Sequence, residues 1–193
     1  MSVTRRYVIA APSGYRNREA ASFMAQMDDQ SQRLLRNLEG TGPAELEWQP
    51  SPGMNTIGML LAHIAIVEVF WTQIGVRAGA PDFESVLGIG GDDDGMPIPE
   101  GGLPPAVLAG RKPDFYLDLL DRARAYARQV AMEVSDTDLD TMRSRTRRDG
   151  EREEFNVRWV LYHMLEHLAG HYGQILLLRH QYKVAGTRSG ATS

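Results

Sequence analysis

Four stretches of about twenty residues carry apolar side chains at helical spacing, and breakers separate them. The first runs from about Tyr15 to Leu38, with Phe23, Met24, Met27, Leu34, Leu35 and Leu38 recurring on one side and Gly40, Gly42 and Pro43 ending it. The second follows the loop LEWQPSPGMN, takes Asn55 or Thr56 as its cap, and reaches about Val76. Leu60, His63, Val67, Phe70 and Ile74 share one of its faces, which predicts that His63 points towards the core. The third spans about Pro113 to Val134, with Phe115, Leu119, Arg122, Tyr126 and Val130 outlining a face widened by Leu117 and Leu120. The fourth, capped by Asn156, extends to about Gln181 and carries Val160, Met164, His167, Leu168, His171, Ile175 and Leu178 inward. The pattern predicts an all-α protein built as a four-helix bundle, in which ligand and metal sites come from inward-facing side chains.

The remaining segments are connections. Residues 79–112 are rich in Gly, Pro and Asp, a long loop for a compact domain and therefore either functional or disordered. Asp92, Asp93 and Asp94 lack the alternating spacing and closing glutamate of a calcium-binding loop, so the expectation is a flexible acidic loop. TMRSRTRRDGEREEFNV contains Asp149-Gly150, a hairpin turn signal, and predicts a short two-stranded ribbon before the last helix. The 193 residues read as one domain with its core at about 15–182 and a flexible tail at 184–193. No internal repeat interrupts this scheme.

Composition narrows the function. A net charge of −4 argues against nucleic acid as the main partner. The basic run Arg143, Arg145, Arg147 and Arg148 is followed at once by Glu151, Glu153 and Glu154, which reads as a self-neutralising surface loop. No cysteine is present, so disulfides, thiolate metal sites and a cysteine nucleophile are excluded. No uninterrupted apolar run is expected to reach the length of a membrane span, and the N-terminal apolar patch is too short for a signal peptide. The expected location is the cytoplasm, without membrane association.

Chemistry concentrates in the histidines. Of five, three lie in LYHMLEHLAGHYGQILLLR and one, His63, in MLLAHIAIVEVFW. Residues four apart on a helix are offset by about 40° and one turn, so His167 and His171 can both reach one ion, and a third imidazole from a facing helix would leave coordination positions open. Burying three neutral imidazoles without a partner would cost several kcal/mol in desolvation. His163 belongs to the same ladder, and His163–His167 is an equally spaced pair. It lies about 12 Å along the axis from His171, so all three cannot hold one ion. The run from His163 through Glu166 to His167 also matches the H-x-x-E-H pattern of inverted zinc proteases, but their third ligand comes from well downstream. Glu166 reads as a surface residue or one beside the metal shell, and His180 as a surface cation near a helix end. Trp48 is expected to cover an end of the bundle, and Trp71 and Trp159 to pack in the core.

The segments Trp48-Gln49-Pro50, NTIGMLLAHIAIVEVFW and FNVRWVLYHMLEHLAGHYGQI resemble the DinB-like superfamily of damage-inducible proteins over roughly residues 15–182. The resemblance implies a four-helix bundle with a long crossover. It further implies a divalent metal, often nickel, zinc or iron, on three histidines that correspond here to His63, His167 and His171, and frequently a homodimer. Relatives act as bacillithiol- or mycothiol-dependent S-transferases, as a thiol-dependent maleylpyruvate isomerase, or as metal-dependent hydrolases. Tyr172 stands where many relatives carry arginine, which removes an anion contact that arginine would make.

Together these readings point to a metal-dependent enzyme that acts on a small molecule. A thiol bound to the ion would lose its proton and become a nucleophile, and a bound hydroxide would instead support hydrolysis. The alternative is a metal-binding stress-response protein without turnover. Three imidazoles suit nickel, zinc, iron and copper alike.

Overall fold

The second apolar stretch organises the molecule. In the computed structural model, which describes residues 4 and 6–190, it forms a helix buried on nearly every side. The elements in chain order are α1 (Arg18–Leu38), α2 (Pro43–Glu47), α3 (Ile57–Trp71) and a π-helical turn (Thr72–Val76). There follow α4 (Phe83–Leu87), a 3-10 turn (Ala106–Leu108), α5 (Pro113–Glu133) and α6 (Asp136–Leu139). Strands β1 (Met142–Thr146) and β2 (Arg152–Asn156) precede α7 (Val157–Gly190). The all-α bundle with a short hairpin before its last helix is thus what the chain forms. α7 continues nine residues beyond Gln181 to Gly190, through part of the expected tail. Residues 191–193 of that tail lie outside the described residues.

Caps set the helix starts. Asn17 Oδ1 accepts from Ala20 N at 2.8 Å, Thr56 Oγ1 from Met59 N at 3.1 Å, and Asn156 Oδ1 from Trp159 N at 2.8 Å. Each satisfies an amide that the first turn leaves unpaired. The hairpin is antiparallel, pairing Met142 with Asn156 and Thr146 with Arg152.

The principal helix pairs are α3 with α5, α1 with α7, α3 with α7, and α1 with α5. Around the bundle the order is therefore α1, α5, α3, α7, and α1 and α3 sit diagonally. This is the crossover arrangement. It places α3 against α7 and so brings the two histidine-bearing segments face to face.

Residues 57–76 are long and apolar enough by composition to cross a membrane, but His63, Glu68, Thr72 and Gln73 interrupt the apolar run, as the sequence reading expects, and 78% of an 18-residue window within them is buried by the other helices. The core differs from the sequence reading in two respects. Leu60 is buried as expected, but α3 also buries Met59, Leu61, Ala62, Ile64, Ala65 and Val69, so the expected face through His63, Val67, Phe70 and Ile74 is not its main core face. His63, Val67 and Phe70 are instead the least buried residues of α3, and Ile74 in the π-turn is likewise only half-buried. On α5 the buried face is Tyr116, Leu119, Ala123, Ala127 and Ala131, one step round from the expected one. Small alanines let α5 lie close to α3, and bulky Phe115, Tyr126 and Val130 are left at the margins. Gly75 makes a similar approach at the π-turn, where a Cβ would stand 2.7 Å from Val160 Cγ2 on α7.

Arg124 crosses this interior. Its Nε and Nη2 donate to Glu68 Oε1 and Oε2 at 2.6 and 3.0 Å, and its Nη1 donates to Asp28 Oδ1 at 3.0 Å. Burial opposes the guanidinium charge, but Glu68 and then Asp28 more than offset it. Arg124 is 8% and Glu68 4% exposed, so removing one partner strands a charge away from water. Glu68→Ala is expected to lower unfolding free energy by about 3–5 kcal/mol, while Glu68→Leu combined with Arg124→Met loses much less. Urea unfolding of the three proteins checks this.

Candidate metal centre

α3 and α7 together hold the histidine cluster. His63 projects from α3, and His167 and His171 project one turn apart from α7. His167 Nε2 lies 3.1 Å from His63 Nε2 and 3.0 Å from His171 Nε2. One ring nitrogen of each residue lies within 4.8 Å of the others, the only such ligand-type group of three among the described residues. All three side chains are half-buried, so the cluster sits in a wall of the bundle that solvent reaches.

The far sides of two rings are held. His63 Nδ1 lies 2.7 Å from Asp94 Oδ2, and His171 Nδ1 lies 2.7 Å from Gln174 Oε1. A carboxylate and an amide oxygen both accept, so both Nδ1 atoms carry the proton and both Nε2 atoms present lone pairs. His167 Nε2 has one proton at most to offer to the two lone pairs beside it. The electron-rich atoms of this cluster thus face one point, and a cation satisfies them better than hydrogen bonding does. The donor set fits a divalent transition ion, with carboxylate and amide orienting the rings as in metal sites generally.

Asp94 is the partner of the histidine cluster that sequence reasoning missed. The structure replaces the expected flexible acidic loop with three partnered carboxylates. Asp92 Oδ1 accepts from Arg148 Nη2 at 3.1 Å, and Asp93 Oδ2 accepts from Gly90 N at 2.7 Å. Asp94 is 3% exposed, and its second oxygen accepts from Met96 N at 2.9 Å. No periodicity marks such a residue, because its role depends on a loop folding back over α3.

His163 is set apart from the cluster. Its ring stacks on Trp159 at 4.7 Å and 6° between planes, meets Trp71 edge-on at 5.2 Å, and turns Nδ1 towards exposed Glu166 at 3.5 Å. The H-x-x-E-H reading therefore has no shared site. Trp71 is buried and Trp159 is 40% exposed, while Trp48 packs against Tyr182 at 5.7 Å. Tyr172 turns to α1, where its hydroxyl accepts from Asn37 Nδ2 at 2.7 Å. His180 is exposed.

A profile of the DinB superfamily matches residues 26–175. The chain belongs to the DinB superfamily. Metal binding is general in this family, and this chain carries a three-histidine cluster that could hold an ion. A crystal structure of a conserved protein from Enterococcus faecalis shares the fold, with a TM-score of 0.60 at 13% identity over 82% of this chain and 94% of that one. No curated protein matches the sequence.

Burial is the first reason that the His167 imidazolium is disfavoured, followed by His171, His63 and His163, and its pKa falls to about 3. Burial also lowers His171, partly countered by Gln174. Both imidazoles are therefore neutral and able to donate lone pairs at neutral pH. Elemental analysis is expected to find about one transition ion per chain, lost in His167→Ala and kept in His163→Ala. Asp94→Asn should weaken metal retention about 10- to 100-fold against a chelator. In chelator-treated protein, the unfolded chain takes up a proton at residue 167 near pH 6.5 that the fold refuses until about pH 3. Stability should accordingly be greatest above pH 6.5 and fall as pH drops from there towards 3. The decline should be shallower in His167→Gln, measured by urea midpoint against pH.

Proposed function

We propose that this DinB-superfamily protein is a metal-dependent enzyme that activates a low-molecular-weight thiol of the bacillithiol or mycothiol type for transfer to an electrophile. The observation that carries this reading is the convergence of the Nε2 atoms of His63, His167 and His171 at a solvent-reached wall. Structural metal sites are closed by four protein ligands, whereas catalytic ones keep a position for water or substrate. Nickel, zinc or iron held there would lower the pKa of a coordinated thiol or water.

The protein's own residues would do the rest. His63, His167 and His171 hold the ion, Asp94 and Gln174 fix two of the rings, and neutral His167 stays available as a ligand at physiological pH. The chain has no cysteine, so the sulfur would come from a free thiol. The same ligands also suit a hydrolase, with water as the nucleophile. The competing reading is a metal-binding stress-response protein without turnover. A cytoplasmic setting, where low-molecular-weight thiols are held reduced, fits the S-transferase. Exposed Tyr162, Leu176 and Leu177 on α7 offer a surface for a second copy.

Protein loaded separately with nickel, zinc or iron should conjugate a thiol to 1-chloro-2,4-dinitrobenzene at a rate abolished by chelation and by His63→Ala. Bacillithiol, mycothiol and cysteine would serve as the thiols, with p-nitrophenyl esters as the hydrolase arm. A protein that holds its metal firmly and turns over neither class would favour the stress-response reading.

A further inference from the structure

A cavity of about 530 Å³ opens between the π-turn and the hairpin. Phe70, Ile74 and Ala78 form an apolar side, and Arg143, Arg145 and Arg148 contribute a basic one. The arginine run read from sequence as self-neutralising is only partly so. Arg145 is committed to Glu153 at 2.6 Å and lies over the Phe70 and Trp71 rings. Arg147 meets Asp149 at 3.3 Å and Glu153 at 2.9 Å, and Arg148 meets Asp92 at 3.1 Å.

Arg143 differs. Its Nε is buried and has no hydrogen-bond partner, and its guanidinium enters no ion pair among the described residues. Asp138, whose carboxylate feels the Arg143 charge, is engaged at 2.6 and 2.8 Å by the Ser135 hydroxyl and amide. A buried donor of a charged group left unmade is costly, because its desolvation is not repaid. The opposite wall is also unusual. Ile74 belongs to a π-helical turn, and Ala78 sits at φ +55°, in the left-handed region that L side chains seldom occupy. Such turns and strained residues gather at functional sites.

We propose that this cavity binds a small organic carboxylate. The carboxylate would take the free Arg143 guanidinium, which presents a planar fork matched to two oxygens. The apolar body would lie along Ile74, Ala78 and Phe70. Phe70 is two turns from His63 on the same face of α3, about 10 Å along the axis, so the cavity neighbours the histidine cluster without sharing a residue with it. The inference stands whether or not the metal centre turns over.

Isothermal titration of the full chain with benzoate, benzamide and inorganic phosphate tests it. Benzoate is expected to bind saturably, and benzamide and phosphate at least about tenfold more weakly, since one lacks the charge and the other the apolar body. Arg143→Gln should weaken benzoate about tenfold or more, Arg143→Lys should recover part of the loss, and Arg152→Gln, on β2 outside the cavity lining and paired with Glu154 at 2.8 Å, should stay within about twofold. Circular dichroism melts of each variant confirm folding. Absence of saturable benzoate binding, equal binding of benzamide or phosphate, or unchanged affinity in folded Arg143→Gln would each overturn the proposal.

Discussion

A helix that is apolar on all sides can be stable in water only if other elements surround it, and α3 is such a helix. It carries two polar side chains of consequence, Glu68 and His63, five residues apart and so turned about 140° from each other. Each must be met by a partner on a different neighbour. Glu68 is met by Arg124 of α5, which also reaches Asp28 of α1. His63 is met by His167 of α7 on one side and by Asp94 of the long loop on the other. The diagonal placement of α1 and α3 follows, because α5 and α7 are both required against α3.

The histidine cluster is therefore a product of the same packing that makes the core. Its position on the least buried side of α3 gives it solvent access. Its ring orientations come from Asp94 and Gln174, which direct lone pairs inward, and its low affinity for protons comes chiefly from burial of His167. A charged network holds the centre of the bundle together while a neutral, electron-rich one lies at its wall. Both are polar and both are partly withdrawn from water. They differ in what balances them, since Arg124 has its carboxylates within the chain and the histidines present lone pairs that a cation from outside the chain would satisfy.

Local signals were legible where the chain answers to itself. Thr56 and Asn156 cap helices because hydroxyl and amide oxygens reach free amides within one turn, and Asp149-Gly150 turns a hairpin because Gly150 accepts φ +87°. The spacing of His167 and His171 marked them as a pair for the same reason. The face of α5 was misread because large side chains were given more weight than alanines. Close approach of two helices favours Ala123, Ala127 and Ala131, which apolar periodicity undervalues. Asp94 and Arg143 were passed over because neither has a meaningful neighbour in sequence. One is important because a loop returns to α3, the other because its companions are each paired elsewhere.

The sequence by itself determined the four long helices, though not where α7 ends, the hairpin, and a ladder of histidines on the last helix whose neighbours four apart could meet one ion. These depend on interactions within a turn or two, and local spacing encodes them. Only the tertiary structure decided that His163 stacks on Trp159 instead of joining the cluster, that an aspartate from a loop thirty-one residues away orients His63, and that Arg143 enters no ion pair among the described residues. Those outcomes depend on which helix faces lie opposite one another. That choice is made by the burial of α3 as a whole, a balance over many side chains that no local pattern contains.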